Sequence, residues 1–138
     1  MDIEFNAIAV FDKDCNQILM CKRRKNPYKG LYNFVGGKIE AGEEGLTAAY
    51  RELEEETGIK QGDICLRHLM DFTYHLPSIK LEVYVGRLTR DVAVYGEEND
   101  LEWIGLNQNF FDMNQYAGEG NIGHIMEHIL LSKEILLK

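Results

Sequence analysis

Proline is scarce in this chain, 2 in 138 residues, and cysteine hardly commoner at 3. So little proline leaves no proline-rich linker to divide the chain, and repeats and low-complexity tracts are missing too, so residues 1–138 read as one domain of ordinary size. Cys15, Cys21 and Cys65 are odd in number and lack paired metal-ligand spacing. They argue against a disulfide framework and for a cytoplasmic compartment. No apolar run reaches membrane-spanning length, and the opening MDIEFNAIAVF begins with acids and reads as a strand, with no secretory signal visible. Positive charge is short as well: 15 Lys and Arg against 23 Asp and Glu leave a formal net charge of −8. Such a surface repels nucleic acid polymers and anionic membranes, and neither is expected as a partner.

What the chain does have is glutamate concentrated in one place. Glu40, Glu43, Glu44, Glu52, Glu54, Glu55 and Glu56 fall within GGKIEAGEEGLTAAYRELEEETGI, with Lys38 and Arg51 as the nearby cations. Ala48, Ala49, Leu53 and the glutamates favour a helix from about Glu44 to Thr57, stopped by Gly58. At about 100° per residue, Glu52, Glu55 and Glu56 share one face. Leu46, Ala49, Tyr50, Leu53 and Thr57 form a neighbouring stripe suited to packing on a sheet, and Glu54 points to water. Glu52 and Glu56 are like charges at i,i+4, a conflict that costs a few tenths of a kcal/mol and that a hard divalent cation removes. Carboxylates at this density suit Mg²⁺ or Mn²⁺, with Mg²⁺ entering alongside a substrate's phosphates.

Along the rest of the chain, Ile3 to Phe11, Ile18 to Lys22, Tyr32 to Val35, Ile64 to Tyr74 and Ile79 to Leu88 read as strands. HLPS joins the last two as a hairpin, and a short strand follows around Glu102 to Ile104. From Ile122, apolar residues recur at helical spacing to Leu137, giving a closing helix against the sheet. Lys22, Arg23, Arg24 and Lys25 are the densest positive run, with Arg23 the best landing point for a phosphate. His124 and His128 lie four apart without a third ligand near in sequence, and read as a helix flank. Gly36 and Gly37 follow a strand and allow close approach of backbone to a ligand, so the Gly37 carbonyl is a candidate metal ligand.

The order Gly37, five residues, Glu43, seven residues, Arg51, Glu52, Leu53, one residue, Glu55, Glu56, one residue, Gly58, Ile59 fills every fixed position of the Nudix box. By that motif the chain resembles the Nudix hydrolases, and its flanks, LYNFVGGKIEAGE above all, are similar to the small MutT-type nucleoside triphosphate pyrophosphohydrolases. Val35 stands where bacterial members commonly carry proline. The resemblance implies an α+β fold, an αβα sandwich with a central mixed sheet, the box helix on one side and the C-terminal helix on the sheet.

Carried over by position, it implies Glu55 and Glu56 as principal metal ligands, Glu52 as ligand or general base, and Arg51 holding the carboxylates. Glu43 would support the ligands from behind. A further acid ahead of a late strand is matched best by Glu97, with Glu98 as fallback. Arg23, Asn33, Lys38 and Asn121 are the candidate substrate-binding residues, the two asparagines for a purine edge, although Asn121 would equally serve as an ordinary N-cap.

The implied activity is Mg²⁺-dependent hydrolysis of a nucleoside diphosphate linked to another moiety, foremost a nucleoside triphosphate to monophosphate and pyrophosphate, with oxidised purine nucleotides as one candidate. ADP-ribose or a related derivative is the second substrate reading. A non-catalytic nucleotide-binding regulator is the alternative of another class, against which the full acid set counts. A homodimer is the default expectation for any oligomer.

Overall fold

The alternation that marks Ile3 to Phe11 as a strand also explains how two helices come to sit on opposite faces of one sheet. The computed structural model describes residues 3–75, 78–96 and 98–138. Strand β1 (Ile3–Phe11) turns Ala7, Ala9 and Phe11 to one face and Ile8 and Val10 to the other. The first set packs with Met20, Val83 and Val85 against Ile122, Ile125, Met126 and Ile129 of the C-terminal helix. The second packs with Leu19, Tyr84 and Ile59 against Ala49 and Leu53 of the glutamate-rich helix. A strand buried on both faces reads as a near-continuous apolar run, which this one does after Asn6. The result is the expected αβα sandwich.

The remaining strands are β2 (Gln17–Lys22), β3 (Tyr32–Phe34), β4 (Arg67–Tyr74), β5 (Ile79–Arg87) and β6 (Asp100–Gly105). The sheet runs β3-β2-β1-β5-β4, with β6 on the other side of β2. It is mixed, because β1 and β5 are parallel from Ile3↔Ile79 to Phe11↔Arg87 while the other pairs are antiparallel. Strands β1 and β2 pair only at Val10↔Leu19 and Phe11↔Ile18 and then part. Residues 32–38 fill the gap, bonding β2 through Tyr32–Phe34 and β1 through Val35 and Gly37. The glycine pair is thereby held where the sheet opens.

Helix α1 (Gly45–Thr57) starts one residue later than the sequence implies and stops at Gly58, whose φ of 83° is the left-handed cap a glycine accepts at no steric cost. Its buried residues are Ala48, Ala49, Glu52, Leu53 and Thr57, whereas Leu46, assigned above to the buried stripe, is exposed. The helix is rolled so that Glu52 faces the sheet. The acids therefore do not lie beside the buried seam, as expected; one of them is in it.

Other boundaries also differ. Ile64 to Leu66 precede the strand, because Gln61–Asp63 form a 3₁₀ turn and Ile64 makes only an isolated bridge to Leu88. The closing helix is broken: α2 (Asn121–Leu131) ends at Ser132 and a short α3 (Lys133–Leu136) follows. Leu76 and Pro77 of the expected hairpin lie outside the described residues. No helix among the described residues is long and apolar enough to cross a membrane.

Candidate active site

Where β1 and β2 part, helix α1 lies over the glycine pair, and an open cavity of about 740 Å³ forms beside it. Arg23, Asn33, Gly37, Lys38, Glu52, Glu55, Glu56 and Asn121 all line it, although they come from four separate segments of the chain. Glu98, the fallback for the additional acid, lines it too, whereas Glu97 lies outside the described residues. Arg51 and Glu43 stand behind the acids instead of in the cavity wall.

The reason Glu52 reaches this place is steric. A Cβ on residue 37 would overlap the Glu52 carboxylate, so only glycine leaves room for it. Glu52 is 8% exposed, and burial raises its proton affinity above the usual carboxylate range against the lowering pull of Arg51. Glu55 is exposed and Glu56 half-buried. Arg51 ties the group together: its Nε and Nη2 donate to Glu43 at 2.7 and 2.8 Å, and its Nη1 to Glu52 and Glu55 at 3.0 and 3.2 Å. That fork holds the Glu43 carboxyl down to about 2, with the Glu40 amide adding to it. One guanidinium thus faces three carboxylates, with Glu56 beside them, and the surplus negative charge fits a hard cation.

The same cavity offers cationic and amide groups. Lys38 is exposed and its carbonyl accepts from Arg51 at 3.1 Å. Arg23 is half-buried, with Nε donating to the Pro27 carbonyl at 2.8 Å and its other nitrogens left for a ligand. Of the basic run it alone lines the cavity: Arg24 pairs with Asp100 at 2.5 Å, and the Lys22 ammonium sits 5.5 Å from the Tyr32 ring centroid. Asn33 accepts through Oδ1 from the Phe34 amide at 2.9 Å, which leaves its NH₂ to donate. Asn121 is not an N-cap. Gly120 holds that position in a left-handed conformation, φ 93°, and the Asn121 amide donates to the Tyr74 hydroxyl.

Sequence reasoning missed Asn6. It is 5% exposed, accepts from the Gly37 amide at 2.9 Å through Oδ1, and its Nδ2 is the one buried side-chain polar atom without a partner among the described residues. Such a group calls for an explanation, and a ligand or ordered water in the cavity it lines would provide one. The signal was a lone asparagine inside an apolar strand.

Among the described residues, the only His, Cys, Asp and Glu trio with ligand atoms within 4.8 Å of one another is His68, Asp71 and Glu82. The carboxylates of Glu52, Glu55 and Glu56 are more widely splayed. The trio is already internally satisfied, with His68 on Asp71 at 2.6 Å, the Tyr84 hydroxyl on Glu82 at 2.6 Å and Lys80 nearby at 3.8 Å. It also lines no part of the cavity, so the helix acids are the better fit for a metal.

Comparison with known proteins identifies the family. A sequence profile of the NUDIX domain matches residues 3–124. The chain is 29% identical to the 8-oxo-dGTP diphosphatase of Escherichia coli over 111 residues, 76% of this chain and 84% of that one. It is 46% identical over 51 residues to an ADP-ribose pyrophosphatase of Methanocaldococcus jannaschii, a match covering 37% of this chain and 30% of the relative. An RNA pyrophosphohydrolase of Pelagibacter ubique matches at 41% over 51% of this chain and 43% of its own. The chain therefore spans less than half the length of several of these curated relatives. Among solved structures, MutT from a study of Aliivibrio salmonicida and Vibrio cholerae superposes with a TM-score of 0.72 at 25% identity, covering 96% of this chain and 99% of that one. With the motif, the fold and 122 consecutive residues matched by the profile, this chain belongs to the NUDIX domain family.

Proposed function

We propose that the chain is a metal-dependent hydrolase of nucleoside diphosphate-linked substrates, and that its substrate is a nucleoside triphosphate, cleaved to the monophosphate and pyrophosphate. The observation that carries this reading is the convergence of Glu52, Glu55 and Glu56 with Arg23, Lys38, Asn33 and Asn121 on one cavity. Acids alone would make a cation site, and cations alone an anion site. Together they fit a phosphate chain that arrives with its metal.

Glu55, Glu56 and the Gly37 carbonyl would hold Mg²⁺ or Mn²⁺. The Gly37 oxygen already accepts from the Asn6 backbone N–H at 2.8 Å, and its second lone pair remains for a ligand. Such an ion would supply neutralising charge for the non-bridging phosphate oxygens. Arg23 and Lys38, which also line the cavity, would bind the phosphates. Glu52, whose proton affinity is raised by burial, would take a proton from water as its oxygen attacks phosphorus and the anhydride P–O bond breaks, the bridging oxygen leaving with the departing phosphate group. Arg51 would keep Glu52 aimed, and Glu43 would keep Arg51 aimed. Asn33 and Asn121 would meet the base.

A nucleotide panel with Mg²⁺, read as phosphate after added pyrophosphatase, tests this. Turnover of triphosphates above all other substrates supports the reading. Preferential release of AMP from ADP-ribose would favour the second substrate class, to which the 46% identical relative points. Tight binding of nucleotides without turnover would make the chain a regulator.

A further inference from the structure

At the far end of the sheet, a second cleft of about 440 Å³ gathers cations in a protein whose acids outnumber them 23 to 15. Lys13 enters from the turn after β1, Arg67 from the start of β4, Arg87 from the end of β5, and Lys138 from the segment after α3. Leu88, Thr89, Leu136 and Cys65 complete the walls. This cleft shares no lining residue with the active-site cavity. Leu81 lines the one and Arg87 the other, six residues along a single strand, which is roughly 20 Å.

The cations here are poorly matched by acids. Lys13 pairs with Asp91 at 3.3 Å, and the Asp91 side chain is 83% exposed. Arg67 donates only to a neutral partner, the Ile135 carbonyl, at 3.2 Å. No described carboxylate pairs with Arg87 or Lys138. Three arginines elsewhere are engaged by acids: Arg24 by Asp100, Arg51 by Glu43 and Arg90 by Asp63. Like charges lining a concave wall with Asp91 as the one paired acid among the described residues raise the local concentration of anions.

The geometry points to a second binding site, metal-independent, for an inorganic di- or triphosphate in the cleft of Lys13, Arg67, Arg87 and Lys138. Two guanidinium forks match phosphate oxygens in pairs, and the lysines add point charge. The walls carry no aromatic ring on which a nucleobase would stack, and their apolar part is limited to Leu88 and Leu136. Phosphate chains are therefore recognised here without a base.

Cys65 is exposed in this cleft, whereas Cys21 is buried and Cys15 half-buried, so its thiol reports on occupancy. The experiment is alkylation of the intact protein by iodoacetamide with excess chelator present, followed by peptide mass spectrometry, with pyrophosphate or triphosphate titrated in. The expected result is about tenfold protection of Cys65 by pyrophosphate, none by chloride at equal ionic strength, and loss of protection in the Arg67→Gln, Arg87→Gln double variant. Nucleotide turnover should be unchanged in that variant. Protection by adenosine triphosphate equal to that by triphosphate would identify the tail of a nucleotide as a further source of the same chemistry. Amide shifts of residues 65–67 and 87–89 on adding pyrophosphate to the wild-type protein serve if the variant fails to fold. Absence of both protection and shifts, or equal protection by chloride, overturns the assignment.

Discussion

Gly37 and Glu52 are fitted to each other: the glycine lacks the one atom that would occupy the place of the glutamate's carboxylate. Gly37→Ala should therefore move Glu52, and a displacement of about 1 Å at a reacting group costs about a hundredfold in rate. The expected outcome is a kcat lower by about that factor with KM changed little. A thermal melt within a few degrees of wild type would show that the fold survives. Unchanged kcat would mean that Glu52 does not act at the position the structure gives it.

Charge at the neighbouring acids can be removed without altering packing. Glu55→Gln and Glu56→Gln should each sharply lower turnover and weaken Mg²⁺ binding, whereas Glu54→Gln, on the exposed side of α1, should be nearly silent. Excess chelator should abolish turnover, and Mg²⁺ or Mn²⁺ should restore it without a requirement for Zn²⁺. Titration calorimetry with Mg²⁺ on the three variants checks the order. Equal effects at Glu54 and Glu55 would point to general surface charge instead of a metal site.

Asp63 gives a test of pH dependence away from the active site. It is buried, its Oδ2 accepts from the Lys60 amide at 2.9 Å, and Arg90 meets Oδ1 at 2.7 Å. The backbone amide first, and the guanidinium after it, hold its pKa below the ordinary aspartate value. A folded pKa below the unfolded one contributes stability that is complete above the unfolded value, about 4, and is lost as pH falls through the folded one. Asp63→Asn should therefore lower Tm at neutral pH, and the gap from wild type should narrow below about pH 4. A gap of constant size down to pH 2 would assign the loss to packing.

The readable parts of this chain are those in which one local rule acts alone. The box spacing places Gly37, Glu52, Glu55 and Glu56 because a single helix and one turn carry all of them. The alternation of β1 is as direct. Leu46 misleads because the roll of α1 is set by the sheet below it, which no pattern within the helix reveals. Asn121 looks like a cap because capping residues and first-turn residues share a composition, and Gly120 takes the cap through backbone conformation. The basic cleft was not legible at all: Lys13, Arg67, Arg87 and Lys138 are brought together by the parallel pairing of β1 with β5, the antiparallel pairing of β4 with β5 and the return of the C-terminal segment.

The two cavity amides decide between substrate readings. Asn33 Oδ1 already accepts from the Phe34 amide, so toward a base its NH₂ is the readier group; the Asn121 NH₂ already gives one of its two hydrogens to the Tyr74 hydroxyl, so there the oxygen is the readier group. One donor and one acceptor on the same cavity suit the edge of a purine that offers both, and leaving a buried partner unpaired costs about 1 to 3 kcal/mol. That penalty is roughly a factor of 5 to 150 in kcat/KM. Asn33→Ala and Asn121→Ala should each lower the ratio of kcat/KM for a purine over a pyrimidine triphosphate by a factor in that range. Tyr74→Phe separates positioning from contact. It removes the hydroxyl that holds Asn121 and should lower the ratio less than Asn121→Ala does. Loss of Tm with the ratio unchanged in both asparagine variants would leave them purely structural, and the ADP-ribose reading would then be the better one.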